Sequence, residues 1–177
     1  MEIINEADEK FKDRQGELCE MLFGMLREIN ALEREFVAYG NAEIRKIPAL
    51  AEELLAEPPD KGVMEVQEHD EKHGFRNLRE RYSEIVKDRC TERLLAKPYG
   101  QSFYSKITYV FADADFEDGT LVFKMKSSKR ADIEVRYKRG TQVFGDRFVL
   151  VNQNDQWLVD AHNWMTDYDH IWHRGHI

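Results

Sequence analysis

Two cysteines, Cys19 and Cys90, are all that 177 residues hold, too few for the disulfide framework of a small secreted scaffold. Long apolar runs are missing as well. Pieces such as Met21-Leu22-Phe23 and Phe148-Val149-Leu150-Val151 fall far short of the roughly 20 residues a membrane helix needs, which excludes a helical span. The first twenty residues carry acids throughout, so they fit neither a signal peptide nor an Arg-rich transit peptide. A cytoplasmic location is the expectation. No nucleophile elbow, phosphate-cradling glycine loop, His-Glu-x-x-His or Cys-x-x-Cys occurs, and neither do internal repeats or low-complexity tracts.

What is present is charge, and it is unevenly spread. Residues 1–98 hold 23 acids against 16 bases, a balance of -7, while residues 99–177 hold 11 against 10. The whole chain carries -8. An acidic surface repels nucleic-acid phosphates and favours basic partners, so direct nucleic-acid binding is not expected. With 42% hydrophobic residues the length suits a single domain over 1–177, able to bury its own core.

Hydrophobic periodicity divides that domain into a mainly helical part, 1–98, a sheet, 99–164, and an aromatic and histidine-rich tail, 165–177. From Phe11, the positions Leu18, Leu22, Met25, Ile29, Leu32 and Phe36 recur at steps of three, four and seven and draw one apolar stripe down a helix. Gly40-Asn41 is the predicted stop. A period near 3.5 also allows a coiled coil, although four heptads beside a globular remainder favour a helix lying on a sheet.

A second helical piece with Ile44, Ile47, Leu50, Ala51 and Leu54 contains Pro48 and ends at Glu57-Pro58-Pro59-Asp60. A third carries Phe75, Leu78, Tyr82, Ile85, Val86 and Leu94 and closes at Pro98-Tyr99-Gly100. The period then changes to two. Strands are expected at Ile107–Phe111, Leu121–Phe123, Ile133–Tyr137, Val143–Val151 and Trp157–Ala161, with turns at Lys138-Arg139-Gly140-Thr141 and Asn152-Gln153-Asn154-Asp155. Short connections imply antiparallel pairing, so the expected class is α+β, with N-terminal helices packed on a curved antiparallel sheet.

The closing hairpin, Arg147-Phe148-Val149-Leu150-Val151, a polar turn, then Gln156-Trp157-Leu158-Val159-Asp160, resembles that of the cone-shaped fold named for nuclear transport factor two. The likeness in order and pattern covers roughly residues 5–164. Within that superfamily, Arg27-Glu28-Ile29-Asn30-Ala31-Leu32-Glu33-Arg34-Glu35-Phe36 and Ser102-Phe103-Tyr104 look like segments of the immunity proteins of bacterial polymorphic toxin systems. This resemblance implies a protein that binds and neutralises a cognate toxin domain, as monomer or homodimer, without catalytic residues or a cofactor. The acidic helical stretches and the tail after Trp164 fall outside the family pattern.

Two patches suit such a partner. The turn with Asp113, Asp115, Glu117 and Asp118 matches a basic cleft, standing where substrate phosphates would lie, though a solvated loop has the same composition. Trp164, Tyr168 and Trp172 are aromatic anchors of the kind that concentrate binding energy.

The cone fold also hosts isomerases and dehydratases, which makes a small-molecule enzyme or ligand-binding protein the alternative. Its pocket would use Tyr109, Arg136, Tyr137, Asp160 and His162. Asp160 and His162, two apart on one strand, share a face where a carboxylate can orient an imidazole; the plainer reading is that they cap the strand's end. His170, His173 and His176 step by three, a zinc-compatible spacing on a helical turn, but no cysteine or firmly placed carboxylate completes a ligand set and no metal is expected.

Overall fold

Nine residues from Gly119, ten from Arg130, twelve from Gln142 and eleven from Gln156 form four long strands with buried positions recurring along one face. The computed structural model describes residues 1–46, 75–96, 108–113, 116–175 and 177, with backbone alone for 38–46 and 75–79. In chain order the strands are β1 (Glu2–Asn5), β2 (Gly119–Ser127), β3 (Arg130–Arg139), β4 (Gln142–Gln153), β5 (Gln156–Thr166) and β6 (His173–Arg174); the helices are α1 (Arg14–Lys46), α2 (Phe75–Val86) and α3 (Glu92–Leu95). The six strands form one mixed sheet in sequence order.

Turn chemistry fixes the registers of β3 to β5. Gly140, at a φ of 62°, opens the two-residue loop between Arg139 and Gln142. Asn154 and Asp155, with φ of 53° and 63°, form the loop between Gln153 and Gln156, where two consecutive left-handed residues match the twist of the strands. Leu121, Phe123 and Met125 of β2, Ile133 and Val135 of β3, and Phe148 and Leu150 of β4 then lie on one face. They bury against Leu18, Leu22, Met25, Leu26, Ile29 and Leu32 of α1, in one cluster that also takes in Val86, Cys90 and Leu94. At about 1.5–3 kcal/mol per fully buried large side chain, this stripe is the main reason α1 is a helix in this position.

Several expectations are corrected. β1 runs parallel to β2, so the sheet is mixed rather than antiparallel. A strand joined to its neighbour through the whole helical part is free of the antiparallel constraint that short turns impose. α1 continues through Gly40-Asn41 to Lys46, since a glycine weakens a helix without ending it. The expected second helical piece lies outside the described residues beyond Lys46, as does the Pro98-Tyr99-Gly100 stop.

The expected third helix is broken after Val86. Thr91 N–H donates to Val159 O and Val159 N–H to Arg89 O, so this backbone serves the edge of β5 before Thr91 caps α3. Val110 and Phe111 of the expected first strand belong instead to a 3-10 turn, Val110–Ala112. Its anchor is Asn30 on α1, buried, whose amide donates to Tyr109 O at 2.8 Å and accepts from Tyr109 N–H at 3.1 Å. Both backbone groups of Tyr109 are taken by one side chain, which holds the segment as a turn under the helix.

Candidate functional site

Strand parity brings three polar side chains together on the buried face. Tyr137 on β3 lies opposite Phe144 on β4, two residues from Asp146, and Phe148 lies opposite His162 on β5. Tyr137 Oη–H donates to Asp146 Oδ2 at 2.9 Å, and His162 Nε2 stands 2.6 Å from Asp146 Oδ1. A carboxylate only accepts, so Nε2 carries the hydrogen. All three residues are buried. Burial first, and then the Asp146 charge, pushes the Tyr137 phenol far above its ordinary range, which keeps it a proton donor.

Tyr109 stands edge-on to the imidazole, with ring centres 5.7 Å apart, and its phenol is likewise pushed up by burial. Phe148 stacks on the imidazole at 4.7 Å. Gly175 covers it from the tail: its N–H donates to His162 O at 2.9 Å, and a Cβ there would fall 2.4 Å from His162 Nδ1. The group has the parts of a general-base site, a carboxylate orienting an imidazole beside two phenols. It is also enclosed by the chain's own rings and backbone.

Of the pocket residues expected from sequence, the fold unites Tyr109, Tyr137 and His162 and excludes the other two. Arg136 points to the opposite face, where it pairs with Glu134 at 2.7 Å. Asp160 does not share a face with His162 in the expected way, because the β4–β5 register shifts between Val149 and Leu150. Ala161 pairs with Val149 and Val159 with Leu150, leaving Asp160 as the extra residue of a bulge. Its carboxylate accepts from Thr91 Oγ1 at 2.8 Å and pairs with Arg93.

That corner borders an open groove of about 680 Å³ between the α2–α3 link and the β4–β5 hairpin, with Lys87, Cys90 and Leu158 among its walls. The residue that sequence reasoning missed is Asp146. Its signal was there: it shares parity with Phe144, Phe148 and Leu150, and an acid at an inward position needs a partner.

The two expected binding patches are partly dismantled. Asp113 is tied to α1, accepting from Asn30 at 3.2 Å and pairing with Arg34. Asp115 lies outside the described residues. Glu117 and Asp118 are exposed. Trp172 is packed against the sheet, with the Arg147 guanidinium 4.7 Å from its ring centre and Gly145 beneath it. Trp164 is 41% exposed and stacks on His173, while Tyr168 is 93% exposed.

Gly119, Tyr137, Phe144 and Thr166 are successive partners across four strands. The Glu117-Asp118 turn and Tyr168 therefore leave the same end of the sheet, three strand spacings or roughly 14 Å apart. The described part of the tail is a turn followed by β6 rather than a helical turn, so His170 and His173 do not share a helix face. His170 is exposed, His173 Nε2 contacts Asp169 at 2.6 Å, and His176 lies outside the described residues. Among the described residues there is no cluster of three His, Cys, Asp or Glu side chains, and no helix is long and apolar enough to cross a membrane.

Comparison with protein-family models, curated proteins and solved structures returns no match.

Proposed function

We propose that this chain is a protein-binding module, an immunity protein that neutralises a cognate toxin domain by covering its active site or its substrate approach. In this reading the sheet and α1 are a cone of the nuclear-transport-factor-two type, acting in the cytoplasm of the cell that makes the toxin. The observation that carries the reading is the row Gly119, Tyr137, Phe144 and Thr166, which brings an exposed acidic turn and an exposed aromatic residue to one end of the sheet. Acids at a rim steer a basic partner, and a tyrosine supplies the apolar anchor.

Coexpression with the toxin domain encoded beside this chain tests it. Growth is restored by the wild type, and Glu117→Lys/Asp118→Lys/Tyr168→Ala loses that rescue while keeping its circular dichroism spectrum. A wild type that does not restore growth removes the proposal.

The Tyr137–Asp146–His162 group favours a second reading, a small-molecule enzyme or ligand-binding protein of the same cone type. Substrate would have to displace the tail around Gly175 from the imidazole. A metabolite that raises the melting temperature of the wild type but not of Asp146→Asn would support that reading over the first.

A further inference from the structure

The two long sides of the sheet are finished differently. Beyond β5, the backbone of Arg89–Thr91 and strand β6 take up the outer hydrogen-bonding groups. Beyond β1 no strand follows among the described residues. Glu6 N–H donates to Phe123 O, and Asn5 is the register partner of Phe123. In a parallel ladder the residues of one strand alternate in direction. Ile4 and Glu6 therefore face β2, while Ile3 and Asn5 turn their N–H and C=O groups to the open edge. Ile3 is 55% exposed and Ile4 39%. Lysine, proline and bulges, three of the usual protections of an open edge, are missing from Glu2–Asn5.

We propose that a second copy of this chain pairs antiparallel with this edge, with Ile3 opposite the partner's Ile3, joining the two sheets across a two-fold axis. Opposed residues of an antiparallel pair share a face, so a symmetric pairing must centre on one residue meeting itself. Pairings centred on Ile3, Ile4 or Asn5 satisfy this with Ile3 and Asn5 facing outward, and the one centred on Asn5 sets Ile4 against the partner's Glu6 and Glu2 against the partner's Asp8. A pairing centred on Ile4 sets Glu2 against the partner's Glu6 on both sides, and like charges directly opposite destabilise. The pairing centred on Ile3 sets Glu2 against the partner's Ile4 and no acid against an acid. Ile3 then exchanges both its backbone bonds with the partner's Ile3, and the apolar row running Ile3, Leu121 and Val135 continues across the axis.

A four-residue strand buries well below the ~1,200 Å² of a standard interface, so the dimer is weak, with a dissociation constant on the order of 100 µM. Sedimentation equilibrium of the full chain from roughly 5 to 500 µM reads it. The expected result is a concentration-dependent dimer whose dissociation constant rises at least ~10-fold in Ile3→Lys, a charge of the kind that protects natural edges.

A second variant is independent of that one. Ile3→Cys places two sulfurs across a hydrogen-bonded pair with Cα atoms about 5.5 Å apart and oxidises to a covalent dimer, whereas Ile4→Cys is offset by two residues and does not. A wild type monomeric throughout, a dimer indifferent to Ile3→Lys, or cross-linking through Ile4→Cys in place of Ile3→Cys overturns the proposal.

Discussion

Asp146 is the single acceptor joining two buried donors, and its removal gives a sharp test of the inner-face geometry. Asp146→Ala removes the carboxylate that the Tyr137 hydroxyl and the His162 Nε2–H reach at 2.9 and 2.6 Å. Stranding a buried polar group costs about 1–3 kcal/mol, so the variant loses roughly 2–6 kcal/mol. That is a large share of the 5–15 kcal/mol typical of a folded domain. Tyr137→Phe removes one hydrogen bond and leaves Asp146 its imidazole, which costs about 1 kcal/mol.

The two changes do not add. With Asp146 gone the Tyr137 hydroxyl is already a liability, and deleting it is neutral or stabilising. The expected coupling is about 1–3 kcal/mol. Urea unfolding followed by tryptophan fluorescence supplies the four free energies of the cycle. Additive penalties, or an Asp146→Ala cost below ~1 kcal/mol, would refute the buried shared-acceptor geometry.

Three further outcomes follow from the same coordinates. Glu33 is buried on α1 and accepts from Thr108 N–H at 2.8 Å and Thr108 Oγ1 at 2.5 Å, yet burial outweighs these bonds and raises its pKa. A carboxyl raised in the folded state favours folding below its unfolded pKa, and that contribution is lost as pH rises through the folded value. Unfolding of wild type and Glu33→Gln between pH 4 and pH 7 should show the wild type losing ground to the variant as pH rises; the reverse trend would sink the argument. Cys19 and Cys90 are both buried, which pushes both thiols up to about 12. Ellman's reagent should therefore react with neither thiol in the native protein and with both in denaturant. Gly145→Ala puts a Cβ 3.0 Å from Met165 Cε and 3.2 Å from the Trp172 ring. A loss of about 1–3 kcal/mol with altered Trp172 fluorescence is expected, and an unperturbed variant would show that Trp172 does not pack there.

The long strands and the helix were legible because a periodic signal sustained over many residues outweighs local exceptions. Leu18 to Leu32 and Ile133 to Tyr137 are cases in point, with the buried residues where the period puts them. What stayed hidden depended on distant partners. Nothing within Glu2–Asn5 foretells a parallel partner more than a hundred residues away, and four residues are too few to display a period. The segment around Tyr109 alternates like a strand, and only the reach of the Asn30 amide from α1 makes it a turn. Likewise, Lys87–Cys90 reads as helix until the edge of β5 claims its backbone.

The candidate site failed and succeeded for one reason, the bulge at Asp160. Parity along a strand is trustworthy only while the ladder is regular, and one extra residue changes which side chains share a face. Counting by twos from Asp160 to His162 crossed that irregularity and joined two residues that the fold separates. Counting by twos along β4, which pairs with β3 without a break, leads from Phe148 to Asp146 and so to the true partner of the imidazole. The bulge has a local cause: the Asp160 carboxylate answers Thr91 and Arg93, whose segment closes the edge of β5. The same connection that ends α2 early and covers that edge thereby frees His162 to turn inward to Asp146. The covered edge, the broken helix and the buried polar group are one structural event, and among the described residues the edge without a further strand is that of β1.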